Sequence, residues 1–285
     1  MQSLQKVIEI LDLEEIEQNH YRATSPNEGW QRVYGGQVIG QALVAASRTV
    51  DADRSAHSLH GYFLRAGDTT RPILYKVDRI RDGHSFTTRR VVAIQNGEAI
   101  FAMSISFQVV EEGLSHQFAM PSATAAEKLV DDDLLRQQQA KDWPAEFQDS
   151  YGSSSAIQIR QVEPLDLMHP KATEPEQLCW MKTREVLPDD HRLHQCVLAY
   201  LSDWSLLDTA ARPHAISYLQ DDVRIASLDH AMWFHRPFRA DEWLLYVQDS
   251  PSACGARGFN RGLIYNEASD LVASTTQEGL MRKIS

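Results

Sequence analysis

The sequence predicts an α+β protein in which a long helix wrapped by an antiparallel sheet occurs twice in one chain. Three observations carry that expectation. Strand-like runs are separated by tight-turn residues, two apolar segments have the length of helices, and the order of elements in the first part returns in the last. A length of 285 residues suits two ordinary cores.

The opening segment, MQSLQKVIEILDLEEIEQ, sets apolar residues at helical spacing. Its acids interrupt any apolar run, so it reads as neither a signal peptide nor a membrane span. A short strand near residues 21–23 leads through Ser25-Pro26-Asn27-Glu28-Gly29 to Val33-Tyr34-Gly35-Gly36. The glycine pair opens a helix over 37–47 that is apolar on more than one face and therefore buried. Strands follow over 57–64, 73–80, 86–95 and 99–109, with Arg81-Asp82-Gly83 and Asn96-Gly97 as turns.

From Glu111 to about Ser155 the chain is acidic and Gln-rich, broken by Pro121, Pro144 and Gly152-Ser153-Ser154-Ser155, which marks a connector. The pattern restarts with strands over 156–162 and 178–184, a second buried helix over 194–207, and strands over 225–235, 243–249, 259–265 and 271–279. The expected division is residues 1–115, a linker over 116–155, and residues 156–285. Laid on each other, the halves match Phe63-Leu64-Arg65-Ala66 with Phe234-His235-Arg236-Pro237 and, at the same offset, Phe101-Ala102-Met103-Ser104 with Val272-Ala273-Ser274-Thr275. A helix wrapped by an antiparallel sheet, occurring twice, is a double hot-dog. Single hot-dogs pair with a copy of themselves, so fusion makes that pair internal.

A net charge of −11 argues against nucleic acid as a partner. Cys179, Cys196 and Cys254 form no CxxC and fit a reducing compartment as small buried hydrophobes. The C-terminal Arg282-Lys283-Ile284-Ser285 is not a Ser-Lys-Leu address, so a cytoplasmic protein is expected. Neither HExxH nor GxGxxG appears, and the nearest approaches to GxSxG, at Ser85 and Ser154, lack the second glycine; no metal and no cofactor is expected. His57 and His60, three apart on a strand, should face opposite ways and share no metal. His191 and His194 read as a loop end. Trp233 and Phe234 read as core.

The stretches Arg32-Val33-Tyr34-Gly35-Gly36-Gln37-Val38, His57-Ser58-Leu59-His60-Gly61-Tyr62-Phe63-Leu64-Arg65, Asp229-His230-Ala231-Met232-Trp233-Phe234-His235-Arg236-Pro237-Phe238 and Ala273-Ser274-Thr275-Thr276-Gln277-Glu278-Gly279 together resemble the acyl-CoA thioesterase II family. The resemblance spans nearly the whole chain. It implies a double hot-dog enzyme that hydrolyses acyl-CoA thioesters, with acyl-CoA as the ligand. It also implies three polar residues in the second half, falling on Asp203, Ser227 and Gln277, with Ser227 where the family usually has Thr.

Asp203 follows Val197, Leu198 and Leu201 in an apolar helix, where desolvation should raise its pKa towards that of a general base. Gln277 and Ser227 supply donors and acceptors to hold a water, and a helix N-terminus would supply the oxyanion donors. His57 is a minor candidate for the acid, and Arg65, Arg236 and Arg257 are the basic residues nearest the motifs. Two rivals remain at this stage: a hot-dog hydratase or dehydratase, and a non-catalytic acyl-CoA-binding protein. A homo-oligomer is expected, since hot-dog units often pack further through exposed faces.

Overall fold

A computed structural model describes residues 7–25, 32–143, 155–220 and 222–284. Its frame is one continuous antiparallel sheet. The strands are β1 (Glu14–Glu17), β2 (His20–Ala23), β3 (Arg54–Phe63), β4 (Ile73–Asp82), β5 (Phe86–Gln95), β6 (Glu98–Val109), β7 (Ile157–Gln161), β8 (Glu176–Thr183), β9 (Val223–Ser227), β10 (Asp229–Phe234), β11 (Leu244–Cys254), β12 (Arg257–Asn266) and β13 (Leu271–Lys283). They lie in the order β1-β2-β4-β5-β6-β3-β10-β13-β12-β11-β8-β7, with β9 added beside β13. The two halves meet at β3 and β10, where Leu59 pairs with Met232 and Gly61 with His230.

Inside the sheet lie two helices, α2 (Gly35–Ser47) and α4 (His191–Leu201), preceded in chain order by α1 (Val7–Leu11) and α3 (Asp132–Gln139) respectively. The small side chains of Gly40, Ala42, Ala45 and Ala46 let α2 sink into the core, and all four are buried. The two central helices run antiparallel. Tyr34, at the start of α2, donates its hydroxyl to Tyr200 O near the end of α4 at 3.0 Å, and Arg192, at the start of α4, reaches Ser47 O at the end of α2. Leu43, Leu59, Met103, Val197, Leu198 and Met232 join the halves in one apolar cluster.

The duplication is legible in the hydrogen bonds. Leu64 and Arg65 N–H both donate to Ile100 O, and His235 and Arg236 N–H both donate to Val272 O. The Arg65 guanidinium caps Ala99 O, as that of Arg236 caps Leu271 O. Ile100, not Phe101, is therefore the counterpart of Val272, one residue off the sequence register.

Other expectations need adjustment. The opening helix is short, because residues 14–17 leave it to pair with β2. The run over 225–235 is two strands, β9 and β10, since Leu228 turns aside to donate to Glu278 O. The second helix ends at Leu201 rather than 207, before Ser205 adopts a left-handed backbone (φ 59°). Cys254 is exposed, whereas Cys179 and Cys196 are buried as expected.

The second half is covered on both faces. Outward-facing Trp180, Trp243, Leu245 and Tyr265 are buried under Met120, Ala123, Ala126 and Leu129 of the connector. This explains the uninterrupted apolar run Leu244-Leu245-Tyr246 on β11, because each face of the strand meets a packed layer. Polar locks hold the cover. Trp180 Nε1 donates to Thr124 O, and Arg184 pairs with Asp131 and Asp133 at the start of α3.

In the first half, Arg89 is buried to 1% exposure. Its guanidinium donates to Thr49 Oγ1 at 2.9 Å, Thr49 O at 3.0 Å and Arg81 O at 3.1 Å, closing the end of α2. Arg89→Met would leave those carbonyls buried without donors. It is expected to lower stability by about 2–4 kcal/mol, read as a lower urea midpoint at unchanged m value.

Candidate functional site

Asp203, Ser227 and Gln277 come from three separate segments and meet at one point. Asp203 sits in the turn after α4, so it extends the axis of the helix instead of lying on its side. Ser227 ends β9, and Gln277 points inward from β13, where it pairs with Asn260 of β12. Gln277 Nε2 donates to Asp203 Oδ1 at 2.5 Å and to Ser227 Oγ at 3.2 Å, and Ser227 Oγ lies 3.5 Å from the same carboxylate oxygen. Gln277 is fully buried, and its Oε1 has no partner among the described residues.

The first half contributes the facing wall. A Cβ on Gly35 would stand 2.5 Å from Asp203 Oδ2 and 2.9 Å from Phe63 Cζ, so only glycine lets the start of α2 close on the carboxylate. The Gly36 amide bonds to Asp203. Two opposed helix ends thus converge here, the positive end of α2 and the last turn of α4.

Burial dominates the electrostatics. It pushes Asp203 up to about 6, against the opposing hydrogen bonds from Gln277, Gly36 and Ser227. Burial also raises Asp208, at the start of α5 (Asp208–Ala211), to about 6, with Arg136 and Arg212 pulling it back. Two cavities flank the cluster. One, of about 480 Å³, is bordered by Tyr34, Arg136, Asp203, Trp204 and Asp208; the other, of about 350 Å³, by Val38, Phe63, Ile100, Phe101 and Ser227. Gly35 and Val33 belong to both, so the polar cluster stands between two spaces.

His57 is elsewhere. A bulge between Ala56 and Ser58 breaks the alternation, so His57 and His60 both lie on the outer face of the sheet. His57 Nε2 contacts Ser106 Oγ at 2.8 Å, and the His60 ring packs edge-on to Trp233. Trp233 is therefore an outer-face residue, while its neighbour Phe234 packs against the core. His194 is buried within α4 and accepts from Ala240 N–H at 3.0 Å. No group of three or more metal-ligating side chains occurs among the described residues. Arg65 borders the smaller cavity, whereas Arg257 pairs with Glu278 at 2.9 Å.

Three further residues stand at the site without being singled out by the sequence. Gly35 and Gly36 read as a helix opening within a stretch that carries the resemblance. His230, inside the tryptophan-centred stretch, is 1% exposed and stands 3.3 Å from Gln277 Nε2 through its Nδ1.

A family model described as Acyl-CoA thioesterase matches residues 156–280, and one described as Acyl-CoA thioesterase N-terminal domain matches residues 24–108. The chain is 42% identical to acyl-coenzyme A thioesterase 8 of Mus musculus, over 97% of this chain and 88% of that protein. It is 37% identical to acyl-CoA thioesterase 2 of Haemophilus influenzae, over 98% of each. Among solved structures, an acyl-CoA thioesterase II from Mycobacterium marinum superposes with a TM-score of 0.79 at 46% identity, covering 98% of this chain and 99% of that one.

The buried carboxylate costs stability. Folded, Asp203 keeps its proton up to about pH 6, whereas an unfolded Asp releases it near pH 4. Between these values the folded state binds more protons, so stability falls as pH rises through that window and stays lower above it. Asp203→Asn is expected to raise the unfolding free energy at pH 8 by up to about 3 kcal/mol, read as a higher urea midpoint, and to lose that advantage at pH 4.

Proposed function

Because the chain belongs to the acyl-CoA thioesterase II family and hydrolyses acyl-CoA thioesters, we propose that Asp203, Ser227 and Gln277 activate the attacking water. The observation that carries this reading is the 2.5 Å contact between Gln277 and Asp203, a half-buried carboxylate that lines one of two adjoining cavities. A thioester has two arms, and such a boundary lets the acyl chain lie on one side while the thiol portion lies on the other.

Asp203 takes a proton from water as the water oxygen bonds to the carbonyl carbon. Gln277 holds the carboxylate in one orientation, and its buried Oε1 offers an acceptor for the water's second hydrogen. Ser227 Oγ bridges the same carboxylate oxygen and the Gln277 amide. The oxyanion is stabilised by first-turn amides of α2 other than that of Gly36, which is held by Asp203; such N–H groups lack intrahelical acceptors, and the dipole there is positive. Collapse of the tetrahedral intermediate breaks the C–S bond. A thiolate is a far better leaving group than an alkoxide, so no separate strong acid is needed, and the proton held by Asp203 balances the step.

A dehydratase would direct an imidazole and a carboxylate at one substrate, but among the described residues the partners of Asp203 are Gln277, Ser227 and the Gly36 amide, and none is an imidazole. Cys179, Cys196 and Cys254 are free thiols, and among the described residues no helix is long and apolar enough to cross a membrane.

Release of free thiol from a ladder of acyl-CoA chain lengths tests the assignment. Asp203→Asn, shown folded by its melting curve, is expected to lose about 100-fold or more in kcat; a wild-type rate in that variant would refute Asp203 as the base. The base must be ionised, so the wild-type kcat should climb with pH through about 6 and then level. Ser227→Thr, which keeps the hydroxyl, should retain the rate within about threefold, whereas Ser227→Ala should lower it about tenfold.

A further inference from the structure

Behind Gln277 lies a second row of polar groups that the hydrolytic step does not touch. Ser202 Oγ donates its single hydrogen to Ala199 O at 2.9 Å. The same oxygen lies 2.9 Å from His230 Nε2. A hydroxyl hydrogen held on Ala199 O leaves Ser202 Oγ to accept from the ring, which assigns the ring proton to Nε2. Nδ1 is then a bare lone pair 3.3 Å from Gln277 Nε2, and it competes with Ser227 Oγ, at 3.2 Å, for the amide hydrogen that Asp203 does not take. Tyr246 holds this turn in place by donating its hydroxyl to Ser202 O at 2.8 Å.

We propose that His230 is a positioning residue: its Nε2–H tautomer, dictated by Ser202, fixes the side-chain amide of Gln277 with nitrogen towards Asp203 and oxygen away from it. The alternative amide orientation would set Oε1 against the Nδ1 lone pair and the Asp203 carboxylate together, two acceptors with no hydrogen between them. One rotameric choice at the end of α4 is thereby transmitted through a ring to the residue that orients the base. Burial keeps the ring neutral, with its pKa pushed down to about 3, so it stays in the tautomeric form throughout the neutral range. His230 enters from β10 opposite Gly61 of β3, at the seam between the halves.

The inference rests on the proposed role of Asp203, so Asp203→Asn is assayed in parallel. Two replacements separate the two ring nitrogens. His230→Asn keeps an acceptor near the Nδ1 position, while His230→Gln keeps a donor near Nε2 and loses the acceptor. The expected result is a kcat within about threefold of wild type for His230→Asn and a loss of about tenfold or more, at unchanged KM, for His230→Gln. A folded His230→Gln enzyme with wild-type kcat overturns the proposal, as do equal losses in the two variants that track their melting temperatures. Full activity in Asp203→Asn would instead sink the reading of the base. If neither His230 variant folds, a long-range nitrogen–proton correlation spectrum of the wild-type protein decides. A proton on Nε2 with bare Nδ1 supports the tautomer, and a proton on Nδ1 overturns it.

Discussion

The structure depends on the close approach of two helix ends belonging to different halves of the chain. The start of α2 can abut Asp203 only because positions 35 and 36 carry no side chains, and Asp203 can remain there only because Gly36, Gln277 and Ser227 offset part of its desolvation. The antiparallel contact of α2 with α4, the strand pairing of β3 with β10, and the inward aim of Gln277 from β13 all bring groups to this point. Either half alone would present half a site. The carboxylate without the glycine amides would lose a hydrogen bond, and the helix start without the carboxylate would face nothing charged.

Much of the architecture could be read from the residues because it rests on local rules. Alternation marked the strands, Asn96-Gly97 marked a hairpin, and apolar density marked both central helices. What escaped was set by events that patterning does not encode. A single bulge at His57 swings it to the same face as His60. The helix α4 ends at Leu201 with Ser202 as its cap, ahead of the left-handed Ser205, so the Asp203 carboxylate projects from a turn. Trp233 reads as core in the sequence, yet its position opposite Ser58 puts it outside.

The candidate site divides the same way. Its three residues were named from a resemblance, and only Asp203 had a physical argument of its own, namely desolvation within an apolar stretch. Gln277 and Ser227 are ordinary strand residues by composition, and only the closure of β9 and β13 around the end of α4 gives them a shared neighbour. The proposed contribution of His230 depends on where Ser202 directs its one hydroxyl hydrogen, a detail no sequence pattern carries.

Arg89 has a bearing on ancestry and drift. By strand pairing, Arg89 opposite Ile105 occupies in the first half the place that Asn260 opposite Gln277 occupies in the second. In an assembly of identical subunits, a guanidinium at that position would enter both copies at once and fill every site. Joined in tandem, the copies are free to accumulate different replacements. One can become a plugged brace that secures a helix end while the other keeps the buried amide and carboxylate. The candidate site then lies at the end of one central helix, and Arg89 braces the equivalent place at the end of the other.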